Sequence, residues 1–372
     1  MTDDLKVDIL VIGAGIAGAS LAAELAPHAR VLLIEAEDVP GYHSTGRSAA
    51  FWHETLGGPL VQPLTTASYP LLAAGGFLKP RASLEVAEEG GLPLLDELAA
   101  KFAGTGVGLT RLDHDGVRQW VPRARPVLVG GLLESTGADI DVAGLHASVL
   151  AAFRQAGGMI VTGQRIDRID RVGSDWQVRA GAWRATAPII VNAAGAWADG
   201  LAVMAGVRPL GIQPMRRTIA QVRVTTDDVP DALPLVIDIA GSYYFRPEGP
   251  NRLWLCPHDE TPVEAGDAAP EEIDVAIAID RFESVTDWKV AAVERKWAGL
   301  RSFAPDRLPV YGFDPVMPGF FWFAGQGGIG IQTAPAAAML GGALLLGNAL
   351  PEPVAAIDPA PFAPGRFVAL AQ

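Results

Sequence analysis

The sequence predicts an α/β protein of two domains, α+β in its overall layout, in which an antiparallel-sheet domain interrupts a parallel-sheet domain along the chain. At 372 residues the chain is long for one hydrophobic core. Apolar runs at 7–12, 188–192 and 320–324, interrupted only by Asp8 and ended at 192 by Asn192, each lead into small residues, which is typical of buried parallel strands that end near a ligand. Strand-like runs around 212–224 and 243–255 alternate apolar with polar residues, which favours antiparallel sheet.

Composition excludes several classes of protein. The chain has 29 Lys and Arg against 42 Asp and Glu, a formal net charge of −13, so no nucleic-acid partner is expected. The one cysteine, Cys256, cannot form an internal disulfide or a cysteine metal cluster. We expect a buried thiol, a reducing compartment and no metal site. The apolar run 7–25 follows Asp3 and Asp4 and contains glycines, unlike a signal peptide, so we expect a cytoplasmic enzyme.

The first element is a dinucleotide-binding motif. A strand at 7–12 precedes the glycine-rich loop 13–18, a helical stretch at 19–25, a strand at 30–34 and then Glu35. The glycines allow a tight turn and a close approach of backbone to a diphosphate, which the helix N-terminus also favours, and the acid can accept hydrogen bonds from a ribose. An ordinary βαβ turn is the alternative. The predicted cofactor contacts are Gly13, Gly15, Ile16, Ala17, Gly18, Glu35 and Ala36.

The loop that follows the acid distinguishes between cofactors. Residues 40–50 are rich in small and hydroxyl side chains and contain one arginine. Such a loop can wrap a second stretch of a longer cofactor, which favours FAD over NAD, although a plain surface loop is the alternative. The predicted contacts here are His43, Ser44, Thr45, Arg47, Ser48, Ala49 and Ala50.

Further elements follow in order. We expect helical stretches at 94–102 and at 141–156, the second with Asp141 as its N-cap, and a strand at 159–161. From Pro315 to Pro351 there are 37 residues without Asp, Glu, Lys or Arg. A bilayer needs about 20 apolar residues. This stretch is better explained as a buried strand at 320–324, a glycine loop and a helix from Thr333 to about 346, so no transmembrane segment is expected.

Six motifs, spread over nearly the whole chain, resemble the D-amino-acid-oxidase-like FAD-dependent oxidoreductases, and among them the bacterial D-arginine dehydrogenases most closely. They are GYHSTGRSAA at 41–50, STGADID at 135–141, VNAAGAW at 191–197, PMRR at 214–217, WAGLRSF at 297–303 and QGGIGIQT at 326–333. The resemblance implies noncovalent FAD, hydride transfer from the α-carbon of an amino acid, and a Rossmann-like FAD-binding domain interleaved with a p-hydroxybenzoate-hydroxylase-like substrate domain. We expect the FAD-binding domain at 1–56, 141–200 and 301–372, and the substrate-binding domain at 57–140 and 201–300.

The resemblance also assigns roles to single residues. Arg217 and Arg301 would hold the substrate carboxylate, for which a guanidinium fork is suited, while Tyr244 adds a hydroxyl and Gly328 a backbone carbonyl to the amine. Internal ion pairs are the alternative for the arginines, and His258 with its two acidic neighbours is expected to be a solvated loop. Further cofactor contacts would be Arg165, Ile166, Ala193, Ala194, Gly195, Trp197, Arg301, Gly327, Gly328, Ile329, Gly330, Ile331, Gln332 and Thr333.

The departures from D-arginine dehydrogenases bear on the substrate. Ser83 stands where they have a glutamate for the guanidinium group, and Phe51, His53 and Leu56 stand where they have histidine, threonine and tyrosine. The last three make the predicted substrate site more apolar and move the imidazole two residues along, and Gln332 is a further predicted substrate contact. We therefore expect a neutral or hydrophobic D-amino acid, oxidised to the imino acid and then released as 2-oxo acid and ammonia.

The amine must lose a proton before hydride transfer, and either water or a nearby base accepts it. His53 is the candidate, and Arg217, Tyr244 and Arg301 complete the predicted catalytic set. The expected partners are the small-molecule amino acid and an electron acceptor, either oxygen or a quinone-like compound. Two alternatives remain: oxidation of a 2-hydroxy acid or of an N-methyl or cyclic amino acid, and a flavoprotein subunit without turnover of its own.

Overall fold

The computed structural model describes residues 5–367. Its strands, in chain order, are β1 (Leu5–Lys6), β2 (Ile9–Ile12), β3 (Val31–Ile34), β4 (Phe51–Trp52), β5 (Leu78–Pro80), β6 (Ser83–Ala87), β7 (Leu109–Asp113), β8 (Gly130–Glu134), β9 (Ala138–Ile140), β10 (Met159–Val161), β11 (Arg168–Val172), β12 (Asp175–Ala180), β13 (Trp183–Ala187), β14 (Ile189–Asn192), β15 (Gln213–Val224), β16 (Leu235–Asp238), β17 (Tyr244–Pro247), β18 (Arg252–Cys256), β19 (Thr261–Pro262), β20 (Val290–Phe303), β21 (Val310–Phe313) and β22 (Phe320–Ala324). Its α-helices are α1 (Ile16–Leu25), α2 (Gln62–Ala74), α3 (Leu92–Lys101), α4 (His114–Trp120), α5 (Val142–Gln155), α6 (Ala198–Met204), α7 (Glu272–Val285) and α8 (Ala334–Leu346).

A six-stranded sheet forms the first domain, in the order β10-β3-β2-β14-β22-β21. Neighbouring strands are parallel except for β21, which is antiparallel to β22. Ile9 and Val11 of β2 pack against α1, α5 and α8, whereas Leu10 and Ile12 pack against α6 and the small sheet β1-β13-β12-β11. Burial on both faces explains why these strands are apolar throughout.

A nine-stranded sheet forms the second layer, in the order β19-β15-β18-β17-β16-β6-β8-β7, with β20 paired to β15. Its pairs are antiparallel except for β16 with β6. Helix α7 covers one face, where Phe282 packs with Leu84 and Leu253. The other face carries Ile219, Leu235 and Tyr244. The predicted fold of two interleaved domains, one parallel and one antiparallel, is confirmed.

Two elements bear on the predicted domain boundaries. Strand β20 continues from the expected substrate segment into residues 301–303. Helix α2, inside the expected segment 57–140, packs Leu64 into the core of the first domain, and its Ser68 hydroxyl accepts a hydrogen bond from the Ala336 N–H at 3.2 Å. The boundaries themselves stay a prediction.

The predicted helix ends are confirmed at two positions. The Asp141 carboxylate accepts the Gly144 N–H at 2.9 Å ahead of α5. Thr333 directly precedes α8, which ends at Leu346 before the left-handed Gly347. The uncharged stretch forms β22, a loop and α8, and within residues 5–367 no helix is long and apolar enough to cross a membrane.

Candidate active site

A continuous cavity of about 760 Å³ lies between the loops of the six-stranded sheet and the open face of the nine-stranded sheet. Its walls include the glycine loop before α1, the loop after β14, the loop before α8, and side chains from β6, β15, β16, β17 and β20. The two domains therefore supply opposite walls of one site.

The glycine loop forms one end of the cavity. Gly13 has φ +104°, and a Cβ there would lie 2.4 Å from the Ala193 carbonyl oxygen; a Cβ at Gly18 would lie 1.9 Å from the Gly13 oxygen. Only glycine fits at either position. Gly15 is the N-cap of α1 and gives no side-chain cap, while the Ile16 N–H donates to Thr45 Oγ1 at 3.0 Å. The helix N-terminus thus faces the cavity as an anion site.

Two buried side chains hold this loop. Glu35 accepts the Ala14 N–H at 2.8 Å and the Glu37 N–H at 3.0 Å. His146 of α5 donates from Nε2 to the Ala14 carbonyl at 2.9 Å, and burial lowers the pKa of this histidine. Sequence reasoning missed His146, because a lone histidine on a helix face carries no signal of its partner.

Most predicted cofactor contacts line the cavity: Gly13, Gly15, Ile16, Ala17, Glu35, Ala36, His43, Ser44, Thr45, Arg47, Ser48, Ala49, Ala50, Arg165, Ile166, Ala193, Ala194, Gly195, Trp197, Arg301, Gly327, Gly328, Gly330 and Ile331. Gly18, Ile329, Gln332 and Thr333 lie behind its walls. The Gln332 side chain, expected to touch substrate and cofactor, is 1% exposed. It accepts the His53 N–H at 3.3 Å and donates to Thr65 Oγ1 at 3.0 Å.

Two arginines lie together at the other end. Met215 of β15 pairs with Arg301 of β20, so Arg301 and Arg217 leave neighbouring strands on the same face. Arg217 donates from one terminal nitrogen to Glu260 at 2.9 Å; its Nε and its other terminal nitrogen are buried and have no partner within residues 5–367. In the same part of the chain no hydrogen bond or ion pair reaches the Arg301 guanidinium. Burial and this second cation lower the pKa of Arg217.

The loop at 258–260 differs from the expectation. Asp259 accepts both the backbone N–H and the hydroxyl of Thr218, at 2.8 and 3.0 Å, and Glu260 joins Arg217 to Arg307. The expected solvated loop is therefore wrong for Asp259, whose side chain is held at the strand edge, whereas Glu260 is exposed as expected and also forms ion pairs. The ion pair uses only one terminal nitrogen of Arg217, which lines the cavity, and leaves its other donors without a partner within residues 5–367.

An apolar wall lies beside the arginines. Phe51 and Tyr244 are buried and pack with Ile219 and Leu235, and Leu56 also lines the cavity. Burial raises the pKa of Tyr244, which stays a phenol. Cys256, predicted to be buried, lies opposite Tyr244 in the strand register, and burial raises its pKa to about 11.

Sequence reasoning missed a carboxyl group that lines the cavity. Ser83 is 2% exposed and is absent from the cavity wall, whereas Glu85, on the same face of β6, lines it. No hydrogen bond reaches the Glu85 carboxyl within residues 5–367. Burial, with Glu134 and Asp238 nearby, raises the pKa of Glu85 to about 8. Near neutral pH this group is an uncharged carboxylic acid.

His53 lines the cavity and is 4% exposed. Its Nδ1 lies 3.2 Å from Thr55 Oγ1. Burial and the positive charge of Arg301 lower the pKa of His53 to about 4, so the imidazole is neutral near pH 7. The candidate base is thus placed in the same cavity as the arginine pair.

The glycine loop, Glu35 and the arginine pair define a dinucleotide-binding protein with a cationic site in the same cavity. The sequence profile of the DAO family, described as FAD dependent oxidoreductase, matches residues 8–344. The chain belongs to this family, and its cofactor is FAD. The glycine loop and Glu35 would hold the nucleotide half, and the loop at 327–331 with Arg301 would lie at the ring. When bound, FAD supplies the hydride acceptor.

This chain is similar to individual members of the family in sequence and in fold. The chain is 28% identical to glycine oxidase of Pseudomonas aeruginosa over an alignment 394 residues long, which covers 96% of this chain and 99% of that protein. It is 26% identical to hydrogen cyanide synthase subunit HcnC of the same organism over 263 residues, 69% of this chain, and spans 59% of that protein. The crystal structure of glycine oxidase from Geobacillus kaustophilus superposes with a TM-score of 0.83 at 22% identity, covering 96% and 98% of the two chains.

Proposed function

We propose that this protein oxidises a D-amino acid with a neutral or hydrophobic side chain to the imino acid, which water converts to a 2-oxo acid and ammonia. The observation that carries the proposal is the pair Arg217 and Arg301. Both line the cavity, as does the loop at 327–328, and both have guanidinium donors without a partner within residues 5–367. The two guanidinium groups carry like charges that repel each other, and a bound carboxylate stabilises the pair.

The geometry supports the oxidation of an α-substituted acid. A carboxylate held between Arg217 and Arg301 fixes the carbon attached to it, and the wall formed by Phe51 and Tyr244 excludes water. The α-carbon loses a hydride and the amine loses a proton, so that a C=N bond forms. A relative named glycine oxidase, aligned over 96% of this chain, supports an amino acid as the substrate.

The D configuration rests on the sequence resemblance, and the neutral side chain on the apolar wall and on the uncharged form of Glu85. Near pH 7 a protonated Glu85 places no charge against an apolar group. An amino acid with a cationic side chain would instead ionise Glu85 and pair with it, so comparing the two side-chain classes is part of the test.

Anaerobic mixing of the FAD-loaded enzyme with D- and L-amino acids, 2-hydroxy acids and N-methyl amino acids tests the proposal, with flavin absorbance as the readout. We expect rapid bleaching by D-leucine, D-methionine or D-phenylalanine, with ammonia released in proportion to substrate. Bleaching by 2-hydroxy acids, or by N-methyl amino acids without release of ammonia, would show that the substrate belongs to one of those classes instead. No bleaching by any of these compounds would favour a subunit without turnover.

A further inference from the structure

The loop that carries His53 is joined to β8 by a chain of hydrogen bonds. His53 Nδ1 lies 3.2 Å from Thr55 Oγ1, and Thr55 Oγ1 lies 2.8 Å from Glu134 Oε2. Glu134 also accepts the N–H of Glu54 at 2.6 Å and the N–H of Thr55 at 3.3 Å. Glu134 is 2% and His53 4% exposed, while Thr55 between them is half-buried and lines the cavity.

The number of protons available to these hydrogen bonds assigns the tautomer of His53. Three donors converge on the Glu134 carboxyl, which favours its ionised, acceptor-only form, although burial raises the pKa of Glu134. The Thr55 hydroxyl has one proton, and it donates this proton to Glu134. Thr55 Oγ1 can therefore only accept from His53, which requires a proton on Nδ1 and leaves a lone pair on Nε2.

The remaining neighbours of His53 leave that lone pair available. Phe51 packs edge-on against the ring at 5.8 Å between centroids, and Gln332 bonds only the backbone N–H. The charged groups that act on the ring are Arg301 of β20 and, through Thr55, Glu134 of β8. No hydrogen bond to His53 Nε2 occurs within residues 5–367, and the side chain lines the cavity.

We propose that Thr55 and Glu134 are positioning residues that fix His53 in its Nδ1–H form, so that Nε2 removes the proton from the substrate ammonium group. This inference rests on the proposed function. One N–H bond of the ammonium breaks, and an N–H bond forms at Nε2. The Nδ1–H continues to donate to Thr55, whose hydroxyl donates to the Glu134 carboxylate, which stabilises the imidazolium. The proton then leaves for water as the product departs.

The first test is structural and does not need turnover. In the FAD-loaded enzyme labelled with ¹⁵N-histidine, the ring nitrogen shifts should show a protonated Nδ1 and a bare Nε2 for His53, with His53→Asn assigning the signals. Thr55→Val should remove this preference, because the acceptor is lost. Thr55→Ser should retain it, because the hydroxyl remains. A protonated Nε2 in the wild-type enzyme would overturn the inference.

The second test is the pH dependence of anaerobic flavin reduction. His53→Asn should slow the limiting rate of flavin reduction about 10²-fold near pH 7, within the usual range for general bases. The difference in rate between this variant and the wild type should become smaller at high pH, where the substrate amine is already unprotonated. Thr55→Val should slow it about 10-fold, with recovery in Thr55→Ser. The matched control His28→Asn changes an exposed histidine and should leave the rate unchanged. If wild-type flavin is reduced but His53→Asn keeps the wild-type pH profile, the inference fails while the proposed function stands.

Discussion

Replacing Arg301 with methionine removes one guanidinium group from the carboxylate site while keeping most of the side-chain volume. A charge-assisted hydrogen bond contributes about 1.5–3 kcal/mol, so the loss of two such bonds should cost about 3–6 kcal/mol of transition-state binding. At about 1.4 kcal/mol for each factor of ten, kcat/KM should fall by roughly 10²- to 10⁴-fold. Arg301→Lys keeps the charge without the fork and should lose about 10- to 10²-fold.

The same substitution should not weaken the fold. Arg301 lowers the pKa of Arg217, so the two cations repel each other, and Arg301 has no ion-pair partner within residues 5–367. The melting temperature of the FAD-loaded Arg301→Met enzyme should therefore equal or exceed that of the wild type. Arg252→Lys, at a half-exposed pair with Glu294 on the same sheet, is the matched control and should stay near wild-type activity.

Steady-state kinetics with the best D-amino acid, normalised to flavin content, provides the assay for Arg301. The binding of benzoate, followed by the flavin spectrum, gives a second readout that does not depend on turnover. A kcat/KM within threefold of wild type for Arg301→Met, with flavin retained, would refute the assignment of the arginine pair to the substrate carboxylate.

Two other predictions concern Glu85 and the cofactor loop. Because burial raises the pKa of Glu85 from 4.5 to about 8, its proton stabilises the fold below about pH 4.5 and this stability is lost as the pH rises to about 8. The Glu85→Gln enzyme should thus gain melting temperature over wild type at pH 8 but not at pH 4.5. With D-leucine as the substrate, the kcat/KM of Glu85→Gln relative to that of the wild type should increase at pH values above about 8. A relative kcat/KM that does not change with pH would contradict the titration of Glu85 in the site. Gly13→Ala should purify with little FAD, because its Cβ would lie 2.4 Å from the Ala193 oxygen, whereas Gly181→Ala, at φ +59° in open space, should keep its flavin; equal absorbance ratios at 450 and 280 nm would contradict that prediction.

The elements predicted from the sequence are those whose signals are local. Strands such as 159–161 and 320–324 occur as predicted, because a strand-like apolar run can be recognised without knowing which strands pair with it. Helix α2 was not predicted, because Pro70 lies inside it and proline disfavours helix interiors, whereas Pro63 lies in the first turn, where proline is tolerated. Its packing against α8 outweighs that preference.

The site was predictable only where one segment carries it. The glycine loop and residues 43–50 line the cavity as expected, since a cofactor loop is a contiguous motif. Glu85 was missed because the position of β6 beside β16 decides which of its residues reaches the cavity, and that pairing joins distant parts of the chain. The partners of His53 were missed for the same reason, since Glu134 lies 79 residues from Thr55 in sequence.

Arg301 links substrate binding to the chemistry, although the protein as a whole has a formal charge of −13. Its positive charge lowers the pKa of both Arg217 and His53. A carboxylate bound to the arginine pair offsets that charge and so raises the pKa of His53, making the imidazole a stronger base once the substrate is in place. An amino acid amide, which lacks the carboxylate, should therefore reduce the flavin slowly even at saturation, and not merely bind weakly. Limiting rates equal for D-leucine and its amide would show that Arg301 acts on binding alone.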